Sequence, residues 1–178
     1  LCIDFLKNRT DKKTVDLCSG SGAIAVALDK ISGAEVTAVE IDETAFLYLE
    51  TNVKENNSSV KPVMADALEI CETFADGELD LIVSNPPYIK SADIETLQKE
   101  VRLEPRLALD GGEDGYNFYR EIVSRWSRKL KKGGALAFEL GENQADAVKA
   151  LMTDKGFSDF KISLDFGGVQ RAIIGTLL

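Results

Sequence analysis

Apolar residues in this chain follow two spacings that alternate from one end to the other. Short continuous apolar runs, rich in β-branched residues, predict buried strands at 14–18, 35–40, 60–65, 79–84 and 134–140. Elsewhere apolar residues recur every three or four positions, which predicts helices at 22–31, 42–56, 115–132 and 143–156. Gly133 and Gly156 stand where C-terminal caps of the last two helices are expected. This alternation is typical of a parallel sheet with helices on both faces.

The end of the chain departs from this pattern. Residues 160–166 and 169–178 predict two strands with only a Gly-Gly pair between them, and hence an antiparallel hairpin. Together with the five earlier strands, they predict an α/β fold with a mostly parallel, seven-stranded sheet. Residues 89–114 form a long polar connection, and such connections in compact domains usually carry function. Because no repeat or linker interrupts the pattern, we predict a single domain over 1–178.

The composition of the chain argues against several classes of function. The 178 residues are 44% hydrophobic, which suits one domain with a substantial core. A net charge of −9 repels phosphate backbones, so direct binding of nucleic acid is not expected unless a local basic patch overrides it. The absence of histidine excludes Ser-His-Asp and Cys-His catalysis, and the three cysteines form no C-x-x-C pair, so no metal site is expected.

No apolar run approaches the length of a membrane span, so no membrane association is expected. The first residues have neither the charge order of a signal peptide nor an initiating Met. These features predict a cytoplasmic protein, of which these 178 residues are one piece of a longer chain.

The stretch "SNPPYIK" follows the fourth predicted strand and combines stiffness with hydrogen-bond acceptors. Consecutive prolines fix the backbone as it leaves the sheet, so Asn85, Pro86 and Pro87 form a rigid segment. The Asn85 side-chain oxygen and the Pro86 carbonyl can accept two hydrogen bonds from a planar NH2 group, with the Tyr88 ring beside it. An ordinary strand-ending turn, with Tyr88 packed against the loop, is the alternative interpretation.

A glycine loop and two acidic residues follow the first three predicted strands. The spacing D-x-x-x-G-x-G places Asp16, Gly20 and Gly22 at a tight turn, without the third glycine of a dinucleotide loop. Glu40, 18 residues after Gly22, can accept hydrogen bonds from ribose hydroxyls. Asp66 can accept one from an adenine amine, with Ile41 as an apolar face. Each carboxylate alone fits a helix cap or a solvated charge, but the carboxyl ends of parallel strands meet in one crevice.

These residues together resemble class I S-adenosylmethionine-dependent methyltransferases, which have a Rossmann-like fold. The segment "EVRLEPRLALDGGEDGYNFYREI" is similar to the HemK/PrmC family of protein-(glutamine-N5) methyltransferases, which modify the Gly-Gly-Gln loop of peptide chain release factors. The resemblance implies substrate-amide binding and catalysis by Asn85, Pro86 and Tyr88, with Pro87 beside them. It implies S-adenosylmethionine contacts from Asp16, Cys18, Gly20, Gly22, Glu40, Ile41, Asp66, Ala67 and Asn85. Family members usually carry an amino-terminal docking domain, which this sequence lacks.

Several alternatives stay open at this point. The same proline motif occurs in nucleic-acid amine methyltransferases, and a cofactor-binding module without turnover would also keep the glycine loop. Cys18 fits a small strand-end residue better than a nucleophile. Ion pairs that brace the 89–114 loop are the favoured role of Arg102, Glu104 and Arg106, over contact with a protein substrate. Helical spacing predicts that Phe118, Tyr119, Ile122 and Trp126 belong to the core.

Overall fold

A computed structural model describes residues 1–178 and contains one seven-stranded sheet with the order β3-β2-β1-β4-β5-β7-β6. Strands β1 to β7 span Lys13–Leu17, Glu35–Glu40, Lys61–Met64, Leu79–Ser84, Leu130–Glu139, Phe157–Leu164 and Gln170–Leu177. Helices α1 to α6 span Cys2–Leu6, Ala23–Ser32, Glu43–Glu55, Arg106–Leu109, Asn117–Trp126 and Ala145–Thr153. Strands β1 to β5 run parallel, whereas β7 is antiparallel to both β5 and β6. The predicted fold class and the C-terminal hairpin are therefore confirmed.

The central strand β4 shows how the sheet holds two cores. All six of its residues are buried. Successive side chains point to opposite faces, so Ile82 packs into one apolar cluster while Leu81 and Val83 pack into the other. Helices α5 and α6 cover the first cluster, and α1, α2 and α3 cover the second. Burial on both faces explains why apolar residues of β4 face both sides of the sheet rather than alternating with exposed polar residues.

The structure corrects the helix predicted over 115–132. Helix α5 ends at Trp126, a 3₁₀ turn covers Ser127–Lys129, and β5 begins at Leu130. Leu130 is buried and pairs with Leu79 of β4, so sheet pairing outweighs the helical spacing of this segment. Gly133 is consequently not a helix cap but lies within β5, with a φ of 75°. Helix α1 was not predicted because five residues are too few to show a period.

The long connection after β4 folds back to its own starting point. The Ile89 amide donates to the Leu109 carbonyl, and the Gly111 amide donates to the Ile89 carbonyl. Between these contacts lie two 3₁₀ turns and the short helix α4. Ile94, the first residue of the first turn, is buried. The loop is thus closed at its base and attached at the carboxyl end of β4. We call this loop, residues 89–115, the flap. No helix in the structure has both the length and the apolar character needed to cross a bilayer.

Candidate active site

A cavity of about 520 Å³ opens at the carboxyl ends of β1 to β4. Strand order reverses there, since β1 lies between β2 and β4, and ligands of open α/β sheets bind at such points. Ten of the predicted site residues line this cavity, namely Cys18, Gly20, Glu40, Ile41, Asp66, Ala67, Asn85, Pro86, Pro87 and Tyr88. A second crevice, of about 580 Å³, lies at the opposite edge, is lined only by polar residues and glycine, and contains none of the predicted residues. The first cavity is therefore the candidate site.

Backbone hydrogen bonds shape the glycine loop where it turns from β1 into α2. The Ser19 amide donates to the Val39 carbonyl at 3.0 Å, and the Gly22 amide donates to the Ser19 carbonyl at 2.8 Å. Gly22 has a φ of 79°, and a Cβ atom there would overlap the Leu49 Cδ1 atom. Only glycine fits both the backbone angle and the packing against α3. Gly22 therefore shapes the loop from beneath and is not part of the cavity lining.

Glu40 holds this loop in place. Its Oε2 atom accepts a hydrogen bond from the Gly20 amide at 2.7 Å. Its Oε1 atom accepts from the Ile41 and Asp42 amides, both at 2.8 Å. Sequence reasoning missed this structural role, which no single-residue pattern signals. A carboxylate offers about four acceptor positions, so three backbone bonds still leave one for a ligand hydroxyl.

Asp16 and Ser19 carry polar atoms that the protein leaves without partners. Both Asp16 carboxylate oxygens and the Ser19 hydroxyl are buried and accept or donate no hydrogen bond. Burial raises the pKa of Asp16 to about 8, and the nearby Glu40 charge adds to this effect. The Ala25 backbone amide opposes it, although it does not reach hydrogen-bonding geometry. Buried groups without partners are rare in folded proteins, and here they fit a ligand that brings donors, such as an ammonium group.

Asp66 and Ile41 form the wall on the β2 and β3 side. Asp66 Oδ1 accepts a hydrogen bond from the Leu68 amide at 2.7 Å, while Oδ2 makes none within the protein. The hydrogen bond within this turn and a ligand contact are thus compatible roles for this one carboxylate. Ile41 is 46% exposed and faces the cavity as an apolar surface. Burial raises the pKa of the Cys18 thiol to about 12, which agrees with the prediction that it is not a nucleophile.

The proline segment, residues 85–88, forms the opposite wall of the cavity and leaves two hydrogen-bond acceptors free. Ser84 donates to the Leu17 carbonyl at 2.8 Å, which fixes the end of β4 beside β1. Pro86 and Pro87 are buried, but Asn85 is exposed, and neither its side chain nor the Pro86 carbonyl makes a hydrogen bond within the protein. The half-buried Tyr88 has its hydroxyl 3.4 Å from Glu139 Oε1, a weak contact.

The flap adds a wall that sequence reasoning did not assign to the site, formed by Val101, Glu104, Pro105, Leu107, Ala108 and Leu109. The prediction of bracing ion pairs is right only for Arg106, which pairs with Asp110 at 3.2 Å. It is wrong for Arg102 and Glu104, which make no ion pair, and Glu104 faces the cavity instead.

Phe118 belongs both to the core and to the cavity wall. Tyr119, Ile122 and Trp126 are buried core residues as predicted. Phe118 is only partly buried: it packs against the core cluster and also lines the cavity.

The cavity lining has a one-sided charge. It contains four carboxylates, from Glu40, Asp42, Asp66 and Glu104, and no lysine or arginine. Such a surface disfavours a phosphate or pyrophosphate ligand and favours one with positive charge. Together with the apolar Ile41 wall, it fits a cationic nucleoside better than a dinucleotide.

The chain is similar in sequence to known proteins. Residues 1–104 match the family described as "Methyltransferase small domain". The release factor glutamine methyltransferase of Geobacter sulfurreducens is 42% identical over 165 residues, which are 92% of this chain and 57% of the relative. That of Fusobacterium nucleatum is 37% identical over 176 residues, which are 97% of this chain and 49% of the relative. The chain thus spans about half the length of the curated relatives it matches.

Solved structures support the fold at lower identity. A methyltransferase from Pyrococcus furiosus superposes with a TM-score of 0.71 at 23% identity, covering 97% of this chain and 79% of that one. Precorrin-6y C5,15-methyltransferase from Geobacter metallireducens gives a TM-score of 0.70 at 14% identity, covering 99% of this chain and 86% of that one. Both likenesses concern architecture alone, and they confirm the Rossmann-like methyltransferase fold.

Proposed function

This chain belongs to the methyltransferase small domain family, and from that premise we propose that it methylates the side-chain amide nitrogen of a glutamine in a peptide chain release factor. The methyl donor in this proposal is S-adenosylmethionine. The glutamine is the one in the Gly-Gly-Gln loop, and the compartment is the cytoplasm, where translation factors act. The curated relatives whose names state this activity match nearly the whole chain.

The free acceptor pair at Asn85 and Pro86 carries the proposal. An amide NH2 group is planar and has two N–H donors, so it matches two fixed acceptors that the protein itself leaves unbonded. The two prolines restrict the backbone between the acceptors and Tyr88. The Tyr88 ring then offers an aromatic face for the planar amide.

The charge of the chain favours a protein substrate over a nucleic acid. Residues 91–121 contain eight acidic and four basic residues, a net charge of −4 beside the cavity. The cavity lining itself adds no basic residue. A nucleic-acid amine has a similar NH2 group, but its phosphates would meet this negative surface, so the alternative substrate class is disfavoured.

The chemistry asks little beyond positioning and electrostatics. A glutamine nitrogen is a poor nucleophile because its lone pair is delocalised into the carbonyl. S-Adenosylmethionine, when bound, supplies a methyl group already activated by a positive sulfur. Asn85 and the Pro86 carbonyl orient the nitrogen and stabilise the positive charge that develops on it. Such positioning is worth about 7–11 kcal/mol in favourable cases. The C–S bond of the donor would break as the N–C bond forms, and the methylated nitrogen is then acidic enough to lose its surplus proton to solvent, so no strong base is required.

The residues on the other side of the cavity fit the methyl donor. Asp16 is fully buried and does not line the cavity, but its unpartnered oxygens suit the ammonium group of the donor. The remaining acceptor position of Glu40 suits a ribose hydroxyl. Asp66 Oδ2 and Ile41 suit the adenine, with Ala67, Cys18 and Gly20 completing the wall. All these groups lie on strand ends or on the loops that directly follow them, which keeps the site rigid.

In the test, the protein is incubated with S-adenosylmethionine that carries a labelled methyl group. Release factor, RNA and DNA are supplied as substrates in separate reactions. We expect label only in release factor, and none in a matched release factor whose Gly-Gly-Gln glutamine is replaced by alanine. Label in RNA or DNA, or undiminished label in the alanine variant, would overturn the proposed substrate.

Substrate docking is a separate part of the proposal. Because the curated relatives are about twice as long as the matched region, we propose that docking involves sequence outside these 178 residues. The 178-residue chain should bind S-adenosylmethionine by itself, but with a lower kcat/KM for release factor than a form extended to the relatives' length. Equal kcat/KM values would show that this domain recognises its substrate unaided.

A further inference from the structure

Gln144, outside the cavity, is the most heavily bonded buried amide near the proline segment. It is 7% exposed and lies just before α6. Its Nε2 atom donates to the Tyr88 carbonyl at 3.1 Å and to the Gly115 carbonyl at 3.2 Å. Its Oε1 atom accepts from the Gly141 amide at 2.9 Å. It also lies 3.1 Å from the Tyr119 hydroxyl, whose single proton it shares with the Glu139 carbonyl at 2.9 Å. Both N–H donors and the carbonyl oxygen of this amide are therefore engaged.

The same backbone is held from a second side by the end of the flap. The amides of Ile89 and Ser91 donate to the Leu109 and Gly112 carbonyls, and the Gly111 amide donates to the Ile89 carbonyl. A Cβ atom on Gly111 would lie 2.8 Å from both Cα and C of Tyr88. Residues 109–112 therefore pack directly against the backbone that follows the two prolines.

These contacts matter because the prolines fix the shape of the segment but not its direction. Ser84 anchors the segment at its start through the Leu17 carbonyl. At its end the backbone has no strand partner except the short pairing with the flap. The Tyr88 carbonyl is thus the first backbone group after the prolines that accepts a hydrogen bond from a side chain elsewhere in the fold, that of Gln144.

We propose that Gln144 is a positioning residue that fixes the direction of the Asn85–Tyr88 segment and so aims its two acceptors at the substrate amide. This inference rests on the proposed function for its effect on methyl transfer, but its structural half can be tested independently. Gln144 touches neither the cavity nor any predicted cofactor residue. Its loss should therefore impair turnover without changing cofactor affinity.

The structural test is hydrogen exchange of the cofactor-free protein, read at the Ile89 and Ser91 amides. Gln144→Met keeps the length of the side chain but removes all of its hydrogen bonds. In this variant we expect the exchange rate at these two amides to rise about tenfold or more. The matched control is Val148→Ala or Met152→Ala, whichever gives the same denaturant midpoint, since both side chains are fully buried on α6. Exchange that stays unchanged, or that rises equally in the control, would overturn the proposal.

The functional test compares the same variants with release factor as substrate. We expect kcat of Gln144→Met to fall about 10- to 100-fold, because small misplacements of a reacting group have effects of this size. The cofactor Kd should stay within about threefold of the wild type. A kcat loss that the stability-matched control reproduces would contradict the positioning role.

Two further variants keep the inference falsifiable if Gln144→Met does not fold. Gly111→Ala pushes on the Tyr88 backbone from the flap side and should lower kcat while leaving cofactor Kd unchanged. In Gln144→Glu, only a protonated carboxyl can donate to the Tyr88 carbonyl, so its kcat relative to wild type should fall as pH rises. A pH-independent ratio would contradict the donor role. If wild-type protein does not methylate release factor at all, the proposed function fails, and the exchange result alone decides the role of Gln144.

Discussion

Replacing Asp16 by asparagine should stabilise the cofactor-free protein, and the gain should grow with pH. The Asp16 carboxyl is fully buried without a hydrogen-bond partner. Burial raises its pKa from 3.8 to about 8. The folded protein therefore binds this proton more tightly than the unfolded chain does. The favourable contribution of this bound proton to the free energy of unfolding is complete below about pH 4 and is lost progressively up to about pH 8.

The size of the effect follows from the shift. One pKa unit corresponds to 1.36 kcal/mol, so the shift from 3.8 to about 8 corresponds to an upper limit of about 6 kcal/mol above pH 8. Asparagine has a similar shape and does not titrate, so it removes this penalty. We expect Asp16→Asn and wild type to differ little at pH 4, and the variant to be more stable by a few kcal/mol at pH 9. The pKa values of the neighbouring thiols of Cys2 and Cys18 are raised to about 11 and about 12, so they stay neutral in this range.

The assay is urea unfolding of both proteins between pH 4 and pH 9 without cofactor. Asp80→Asn is the matched control, because Asp80 is also buried but pairs with Lys131 at 2.8 Å and Arg9 at 3.7 Å. Breaking this pair should destabilise the protein, which is the opposite sign. A stability difference between Asp16→Asn and wild type that is constant with pH, or that favours wild type at pH 9, would refute the reasoning.

Four further outcomes test the site. S-Adenosylmethionine binding near pH 7 should release a proton from Asp16, so its calorimetric enthalpy should depend on the buffer in wild type but not in Asp16→Asn. Asn85→Ala should reduce methyl transfer about 100- to 1000-fold, measured as kcat, with little change in cofactor Kd. Glu40→Gln places an NH2 group against the Gly20 amide and should weaken cofactor binding about 10- to 100-fold by calorimetry. Gly22→Ala should lower the unfolding free energy by about 1–3 kcal/mol more than Gly20→Ala, since both positions have a positive φ but an added Cβ meets another side chain only at Gly22 of these two.

The sequence was sufficient for the central strands β1, β2 and β4 because they are buried on both faces. The apolar run of β4 has no polar interruption apart from Asp80, and its predicted limits, 79–84, are those observed. Prediction failed where a short segment had two options. Residues 127–132 continue the helical spacing of α5, yet Leu130 is buried by pairing with β4, a partner about 50 residues away in the chain. Local spacing contains no information about such a partner.

The cavity was predictable for a topological reason. In a parallel sheet, every residue that follows a strand lies at the same edge, so Gly20, Glu40, Asp66 and Asn85 could be brought together without knowing any side-chain contact. Gln144 could not be found this way. Its partners, Tyr88, Gly115, Tyr119 and Gly141, come from the proline segment, the flap end, α5 and the loop after β5. No periodicity or motif connects them, and only the folded chain shows that they converge.

Sequence reasoning also treated structural and ligand-binding roles as competing, and the carboxylates show why that opposition fails. Glu40 uses three acceptor positions on backbone amides and keeps one, whereas Asp66 uses one oxygen and keeps the other. Asp16 uses none. Because no lysine or arginine lines the cavity, the negative charges of Glu40 and Asp66 have no basic partner there. A bound cation relieves this repulsion, whereas a neutral product does not. The site is therefore expected to hold a positively charged methyl donor more tightly than the demethylated product, which favours product release after transfer.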